Sequence, residues 1–114
     1  MANEICISYN GIDYPILFNL NVMEEIQEEY GTIEKWGELT ESHGQEPNAK
    51  AIKFGLGAMI NEGIDVYNET HEEKRPLFTP KQVGRIITEA GLNNIAATMQ
   101  QSVIESTKSD EKNS

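Results

Sequence analysis

Apolar and polar side chains alternate on both sides of Asn10-Gly11, close to the start of the chain. This dipeptide readily adopts the positive φ angles of a two-residue type I′ turn, so the pattern predicts a β-hairpin over residues 4–18. Pro15 falls on a non-hydrogen-bonded pair in that register, where its missing N–H is tolerated. One face of the hairpin then carries six large apolar side chains, Ile5, Ile7, Tyr9, Ile12, Tyr14 and Ile16. An isolated hairpin is marginal in water, so we expect this face to lie on helices.

The rest of the chain has the three- and four-residue apolar spacing that is typical of helices. Asn21 is expected to cap the first helix, and Asn93 or Asn94 the last. The segment 49–69 is apolar on more than half of its circumference, which indicates a central helix. Its Gly63 marks either a close crossing by another element or a break in the helix. The capping and stop residues together predict helices at about 22–30, 33–41, 49–69, 80–90 and 94–105.

These elements predict an α+β protein that is mainly α, with an N-terminal β-hairpin. Four to five helices are expected to form a compact bundle on the two-stranded antiparallel hairpin, as a single globular domain over residues 1–105. Residues 42–48, rich in Gly, Pro, Asn and Ser, are predicted to be a surface loop. Residues 106–114 contain no apolar side chain, and are predicted to be a disordered polar tail.

The net negative charge of the chain limits which classes of partner it can bind. The 114 residues carry a formal charge of −10, and residues 1–46 hold ten acids and one base. Such a chain repels phosphate backbones and anionic lipids, so neither nucleic acid nor a membrane is expected as a partner. The N-terminus lacks the basic start and apolar run of a signal peptide, and cytoplasmic localisation is therefore expected.

The sequence contains no pattern typical of an enzyme, and no cofactor is expected. His43 and His71 do not have the spacing of zinc ligands, and both are interpreted as surface residues. Cys6 lies in the alternating run of the hairpin, which favours a packed thiol over a nucleophile. The GLGAM segment lacks the spacing of a phosphate-binding loop, so helix packing explains its glycines better.

A protein-binding surface is the remaining candidate site. Methionine and aromatic side chains on the apolar stripes either fill the core or line an adaptable groove, and core filling is the more common role. The hypothesis of a binding surface names Trp36, Phe54, Met59 and Met99 as its contributors.

Three segments resemble the tail assembly chaperones of long-tailed (siphovirus-type) bacteriophages and prophages. A β-hairpin runs into the apolar and acidic segment LNVMEEIQEEYGTIEKW, a long apolar helix follows at IKFGLGAMINEGIDVY, and a helix pair starts at Thr-Pro in FTPKQVGRIITEAGLNNIAATMQQSVIES. The resemblance covers about residues 5–107.

The resemblance implies a helical, non-enzymatic protein of the host bacterial cytoplasm. Members of this family bind the tape measure protein and keep it soluble until the tail tube forms around it. The resemblance also implies self-association and, in many phages, a longer frameshifted form of the same chain. An alternative from the charge pattern is an acidic inhibitor whose residues 24–46 mimic phosphates and bind a basic host protein.

Overall fold

The computed structural model describes the backbone of residues 4–41 and 46–113, and side chains as far as residue 106. Within these ranges the chain forms a two-stranded antiparallel hairpin followed by five α-helices, which confirms the predicted fold class. The elements are β1 Cys6–Tyr9, β2 Ile12–Pro15, α1 Leu20–Tyr30, α2 Ile33–Thr40, α3 Ala49–Thr70, α4 Pro80–Ala90 and α5 Leu92–Asn113.

The hairpin has the predicted turn and register. Asn10 and Gly11 have φ angles of 54° and 78°, and Ile7 pairs with Tyr14 across the two strands. The N–H of Ile16 donates to the carbonyl of Ile5 at 2.9 Å, so the hydrogen-bonded pairs fall on either side of Pro15. Proline therefore costs the ladder no bond.

The core-facing side of the hairpin follows the predicted alternation with one exception. Ile7 and Ile16 are buried, and Ile5, Tyr9 and Tyr14 pack against the core as partly buried side chains. Ile12, beside the turn, is 41% exposed. The turn therefore extends past the edge of the helices beneath it.

Helix α3 is the central element and contacts α1, α2, α4, α5 and β2. Its side chains Ile52, Leu56, Met59 and Ile60 are fully buried. The helix is continuous through Gly63, so the glycine marks a close crossing and not a break. A Cβ atom there would lie 2.1 Å from the carbonyl oxygen of Pro15.

Two helix starts differ from the prediction. Asn19, not Asn21, caps α1, because its side chain accepts a hydrogen bond from the Val22 N–H at 3.2 Å. Helix α5 begins at Leu92, directly after Gly91, so neither Asn93 nor Asn94 is a cap. The φ angle of 99° at Gly91 ends α4 and turns the chain within one residue.

The end of α5 also differs from the prediction. Residues 106–113 are helical, where a disordered tail was expected. This segment contains no glycine or proline to end the helix, and helix propensity does not depend on an apolar stripe. Ser114 and residues 42–45 of the predicted loop lie outside the described residues.

Candidate functional site

An open groove runs along one side of α3, with a volume of about 530 Å³. We call it the α3 groove. The residues of α3 that line its floor run from Lys50 to Asp65 and follow the i, i+3, i+4 spacing of one helix face. At 1.5 Å per residue this face is about 22 Å long. The groove therefore has the length of about four helical turns.

The middle of the α3 groove is apolar. Phe54, Gly57 and Ala58 form the floor there, and Phe78 and Val83 form one wall. Leu77, 51% exposed, extends this wall towards solvent. An exposed apolar patch with charged residues at its borders is typical of a protein-binding surface.

Aromatic contacts hold both ring side chains of the groove. The ring of Phe54 makes an edge contact with Tyr30 at 5.6 Å between centroids. The ring of Phe78 makes edge contacts with Tyr9 at 6.1 Å and Tyr14 at 5.0 Å. Such pairs add about 0.5–1.5 kcal/mol each to the stability that burial provides, so they favour the observed positions of the two rings.

The groove wall belongs to residues 71–79, which join α3 to α4 without forming a helix or strand. Two asparagines of α3 fix this connection. Asn61 donates to the Phe78 carbonyl at 3.0 Å and accepts from its N–H at 2.8 Å. Asn68 makes the same two bonds with Arg75, at 2.9 and 2.8 Å. The paired bonds satisfy backbone groups that a strand partner would otherwise satisfy.

The Arg75 side chain adds a further contact between this connection and the rest of the fold. Its guanidinium lies 3.9 Å from the centre of the Tyr67 ring and 5.3 Å from that of Tyr14. The ring of His71 also stacks on Tyr67, at 3.7 Å between centroids. These cation–π and stacking contacts link the connection to both α3 and β2.

Acidic side chains border one end of the groove. Glu62 and Asp65 come from α3, and Glu25 comes from α1. The side-chain amides of Asn19 and Asn21 donate to Glu62 Oε2 at 2.8 and 3.1 Å, so this carboxylate has a fixed orientation.

The pKa of the Glu25 carboxyl is raised above its ordinary value. Loss of surrounding water is the largest cause, and the charges of Glu62, Glu28, Asp65 and Glu24 add to it in that order. Proton binding to Glu25 therefore favours the folded state. The stability that this proton adds to the folded state is fully present below the pKa of Glu25 in the unfolded chain. It is lost as the pH rises through the pKa of Glu25 in the folded protein.

Replacing Glu25 with glutamine should consequently stabilise the protein at neutral pH. We expect the free energy of unfolding to rise by about 0.2–0.5 kcal/mol at pH 7, the usual effect of like charges on an exposed helix. Near pH 4, where the native carboxyl is largely protonated, the gain should vanish. Urea titrations at both pH values measure this difference. Glu89→Gln on α4 is the control, and an equal gain at both pH values for Glu25→Gln would contradict the explanation.

The structure does not bring the four predicted interface residues together on the surface. Trp36, Met59 and Met99 are 3%, 0% and 1% exposed, so they belong to the core in this conformation. Trp36 also donates from Nε1 to the Ala51 carbonyl at 3.0 Å. In this conformation these three side chains offer almost no surface to a partner, and their contribution to an interface stays a prediction. Phe54 alone lies in the α3 groove.

A second, smaller groove of about 240 Å³ lies between α2 and α5. Trp36 and Met99 lie at its base, and the exposed Ile104 at its border. Their small exposed fractions leave little contact area there, which makes the α3 groove the stronger candidate.

Cys6 is exposed, contrary to the predicted packed thiol, because it lies on the outer face of the hairpin. Partial burial raises the pKa of its thiol, and the nearby acids Glu4 and Asp13 raise it further. A reactive cysteine needs a lowered pKa, so this environment opposes nucleophilic chemistry. His71 is exposed, as predicted, and His43 lies outside the described residues.

Among the described residues, no group of three or more acidic, histidine or cysteine side chains is placed to hold a metal ion. None of the helices described is both long and apolar enough to cross a membrane.

The chain matches no protein-family model, no curated protein and no solved structure.

Sequence reasoning missed Phe78 and Asn61 as groove residues. Phe78 directly precedes the Thr79 cap of α4, and Val83 lies at the fourth helical position. An apolar residue before a cap commonly packs against that fourth position, so a hydrophobic staple was the available signal. Asn61 was identifiable only as a polar residue within a largely apolar helix.

Proposed function

We propose that this protein is a phage or prophage tail assembly chaperone that holds an apolar helix of the tape measure protein in the α3 groove. The observation that carries the proposal is the exposed apolar middle of this groove, which the rings of Phe54 and Phe78 line. An amphipathic helix with its apolar face in such a groove is a common mode of recognition. The high net charge would keep the complex dispersed in the cytoplasm.

Gly57 supports a binding role for the groove floor. A Cβ at Gly55 would lie 2.4 Å from the Trp36 ring, whereas a Cβ at Gly57 would meet only Val83 Cγ2, at 3.7 Å. Internal packing therefore requires glycine at Gly55 but not at Gly57. A helix-interior glycine costs about 1 kcal/mol relative to alanine, so Gly57 lowers stability while keeping the groove open.

Gly57→Leu is expected to fill the groove and to weaken binding about tenfold or more without unfolding the protein. Co-expressed with the tape measure protein of the same phage, the wild-type chain should keep that protein in the supernatant and co-purify with it. The leucine variant should lose the complex, with affinity falling about tenfold or more, as expected at a central contact. Affinity chromatography and sedimentation of the lysate measure the two effects.

Gly57→Ala is the matched control, because its single methyl group leaves most of the groove open. It should retain the tape measure protein. Circular dichroism melts of both variants must show a fold at least as stable as that of the wild type. Retention of the partner by a folded Gly57→Leu variant would show that the α3 groove is not the binding site.

The crowded carboxylates around Glu25 favour a second candidate, an acidic inhibitor that binds a basic host protein. Binding of that kind depends on surface charge and weakens steeply between low and physiological salt. Apolar binding in the groove tolerates salt. The salt dependence of the affinity therefore distinguishes the two functions. In either role, self-association and a longer frameshifted form remain proposals from the sequence resemblance.

A further inference from the structure

The two ends of the α3 groove carry opposite charges. Lys50 and Lys53 line the end near the start of α3, and Glu62 and Asp65 line the other end. The two pairs are separated by about three helical turns of the same helix. The floor of the groove is therefore basic, then apolar, then acidic along its length.

The acidic end is reinforced by a neighbouring element, and one of its carboxylates is held by hydrogen bonds. Glu25 of α1 faces the same space as Glu62 and Asp65. The amides of Asn19 and Asn21 hold the Glu62 carboxylate in place, so it does not need to reorient when a cation arrives. Fixed charges at a binding site lose less entropy on association than mobile ones.

We propose that the α3 groove selects an amphipathic helix whose charges are segregated, with basic side chains at the end over Glu62 and Asp65 and acidic side chains at the end over Lys50 and Lys53. This inference rests on the proposed function and specifies its ligand. The apolar stripe of such a helix would contact Phe54, Ala58 and Phe78 in the middle of the groove. Charge complementarity at both ends sets the direction in which the helix lies.

A helix with one sign of charge throughout fits less well. A uniformly basic helix would place cations over Lys50 and Lys53, and a uniformly acidic one would place anions over Glu62 and Asp65. Like charges across an interface are unfavourable and suppress wrong partners. The groove therefore discriminates by charge order in addition to apolar area.

Three synthetic peptides of about 18 residues test this inference. They share one leucine-rich apolar stripe and differ only in the charges beside it: Lys at one end and Glu at the other, Lys at both ends, or Glu at both ends. At about 25 mM salt we expect the mixed peptide to bind the full-length protein about tenfold more tightly than either uniform peptide. At about 500 mM salt the three affinities should converge.

Charge reversal at the basic end gives a second measurement. In Lys50→Glu/Lys53→Glu both ends of the groove are acidic, so the preference should move to the peptide with Lys at both ends. The lysines are changed because Glu62 contacts Asn19, the cap of α1, and its replacement would disturb the fold. Lys81→Glu/Arg85→Glu, two exposed positions on α4 outside the groove, is the control with the same change in net charge.

The outcomes separate this inference from the proposed function. In one outcome Gly57→Leu blocks all three peptides while the wild type shows no preference for the mixed one. That result would mean that the groove binds apolar helices but does not select them by charge order. If the Lys81→Glu/Arg85→Glu control shifts its peptide preference as much as Lys50→Glu/Lys53→Glu does, the preference depends on net charge. The proposed selection by charge order in the groove would then be wrong. If no peptide binds, or Gly57→Leu changes nothing, the groove does not hold apolar helices and both proposals fail.

Discussion

Replacing Gly63 with alanine is expected to lower the free energy of unfolding by about 2 kcal/mol, although alanine favours a helix more than glycine does. The added Cβ would lie 2.1 Å from the Pro15 carbonyl oxygen, and the atom it meets belongs to the backbone. Relief requires the hairpin and α3 to move apart. Overpacking of this kind costs about 3 kcal/mol, and the gain in helix propensity returns about 1 kcal/mol.

The movement should affect the contact between the hairpin and α3 most. There the Leu17 N–H donates to the Met59 carbonyl at 3.2 Å, and Ile16 is buried beside it. Hydrogen exchange should therefore become faster at Leu17 and in β1 and β2 than in α4. Thermal melts give the overall loss, about 8 °C in Tm for a chain of this size.

Gly57→Ala is the same substitution in the same helix, six residues away. Its nearest atom is 3.7 Å distant, so only the propensity gain remains, and Tm should rise by about 4 °C. The two alanine variants should thus shift stability in opposite directions. Equal shifts would show that helix propensity decides both positions and that the close crossing at Gly63 has no energetic effect.

Short-range signals predicted the local elements well. The Asn10-Gly11 turn determined the hairpin register, and Thr79-Pro80 marked the start of α4, where the structure contains a capping box with Gln82. Each signal depends on residues a few positions apart, so the sequence alone displays it. The start of α1 differs from the prediction because Asn19 and Asn21 are both good caps by residue type. Both side chains donate to Glu62, and Asn19 is the cap because it accepts the hydrogen bond from the Val22 N–H.

The candidate site could not be predicted to the same extent. Stripe periodicity shows which helix faces are apolar, but it does not show which of two apolar faces a neighbour covers. Helix α3 has two such faces: the one with Leu56 and Met59 is buried, and the one with Phe54 and Ala58 remains partly open. The deciding factor is the path of residues 71–79, which the Asn61 and Asn68 hydrogen bonds fix across 17 and 7 residues.

The role of Trp36 shows the same limit. Aromatic residues are enriched at binding hot spots and also in cores, and sequence does not separate these two environments. In the structure its ring stacks on Phe18 at 6.5 Å and lies against Gly55. Gly55 was the feature of the sequence that could have indicated a core position for Trp36. A glycine inside a helix leaves space that a large ring can fill.

Trp36→Ala is expected to cost about 3–5 kcal/mol of the free energy of unfolding, the usual loss for a buried tryptophan. The substitution removes the ring that fills the space beside Gly55 and the hydrogen bond from Nε1 to the Ala51 carbonyl. Urea unfolding measures the loss. At temperatures where the variant remains folded, its affinity for the proposed partner, the tape measure protein, should match that of the wild type, because Trp36 does not line the α3 groove.

A double-mutant cycle tests whether Trp36 and Gly55 act as a complementary pair. Gly55→Ala alone should destabilise, because its Cβ would lie 2.4 Å from Trp36 Cζ2. With Trp36→Phe the smaller ring leaves room for that methyl group, so Gly55→Ala should become neutral or stabilising. The coupling energy should then be about 1 kcal/mol or more, as for residues in direct contact. Additive effects would mean that the ring moves aside freely, and that Gly55 is not needed for the packing of α2 on α3.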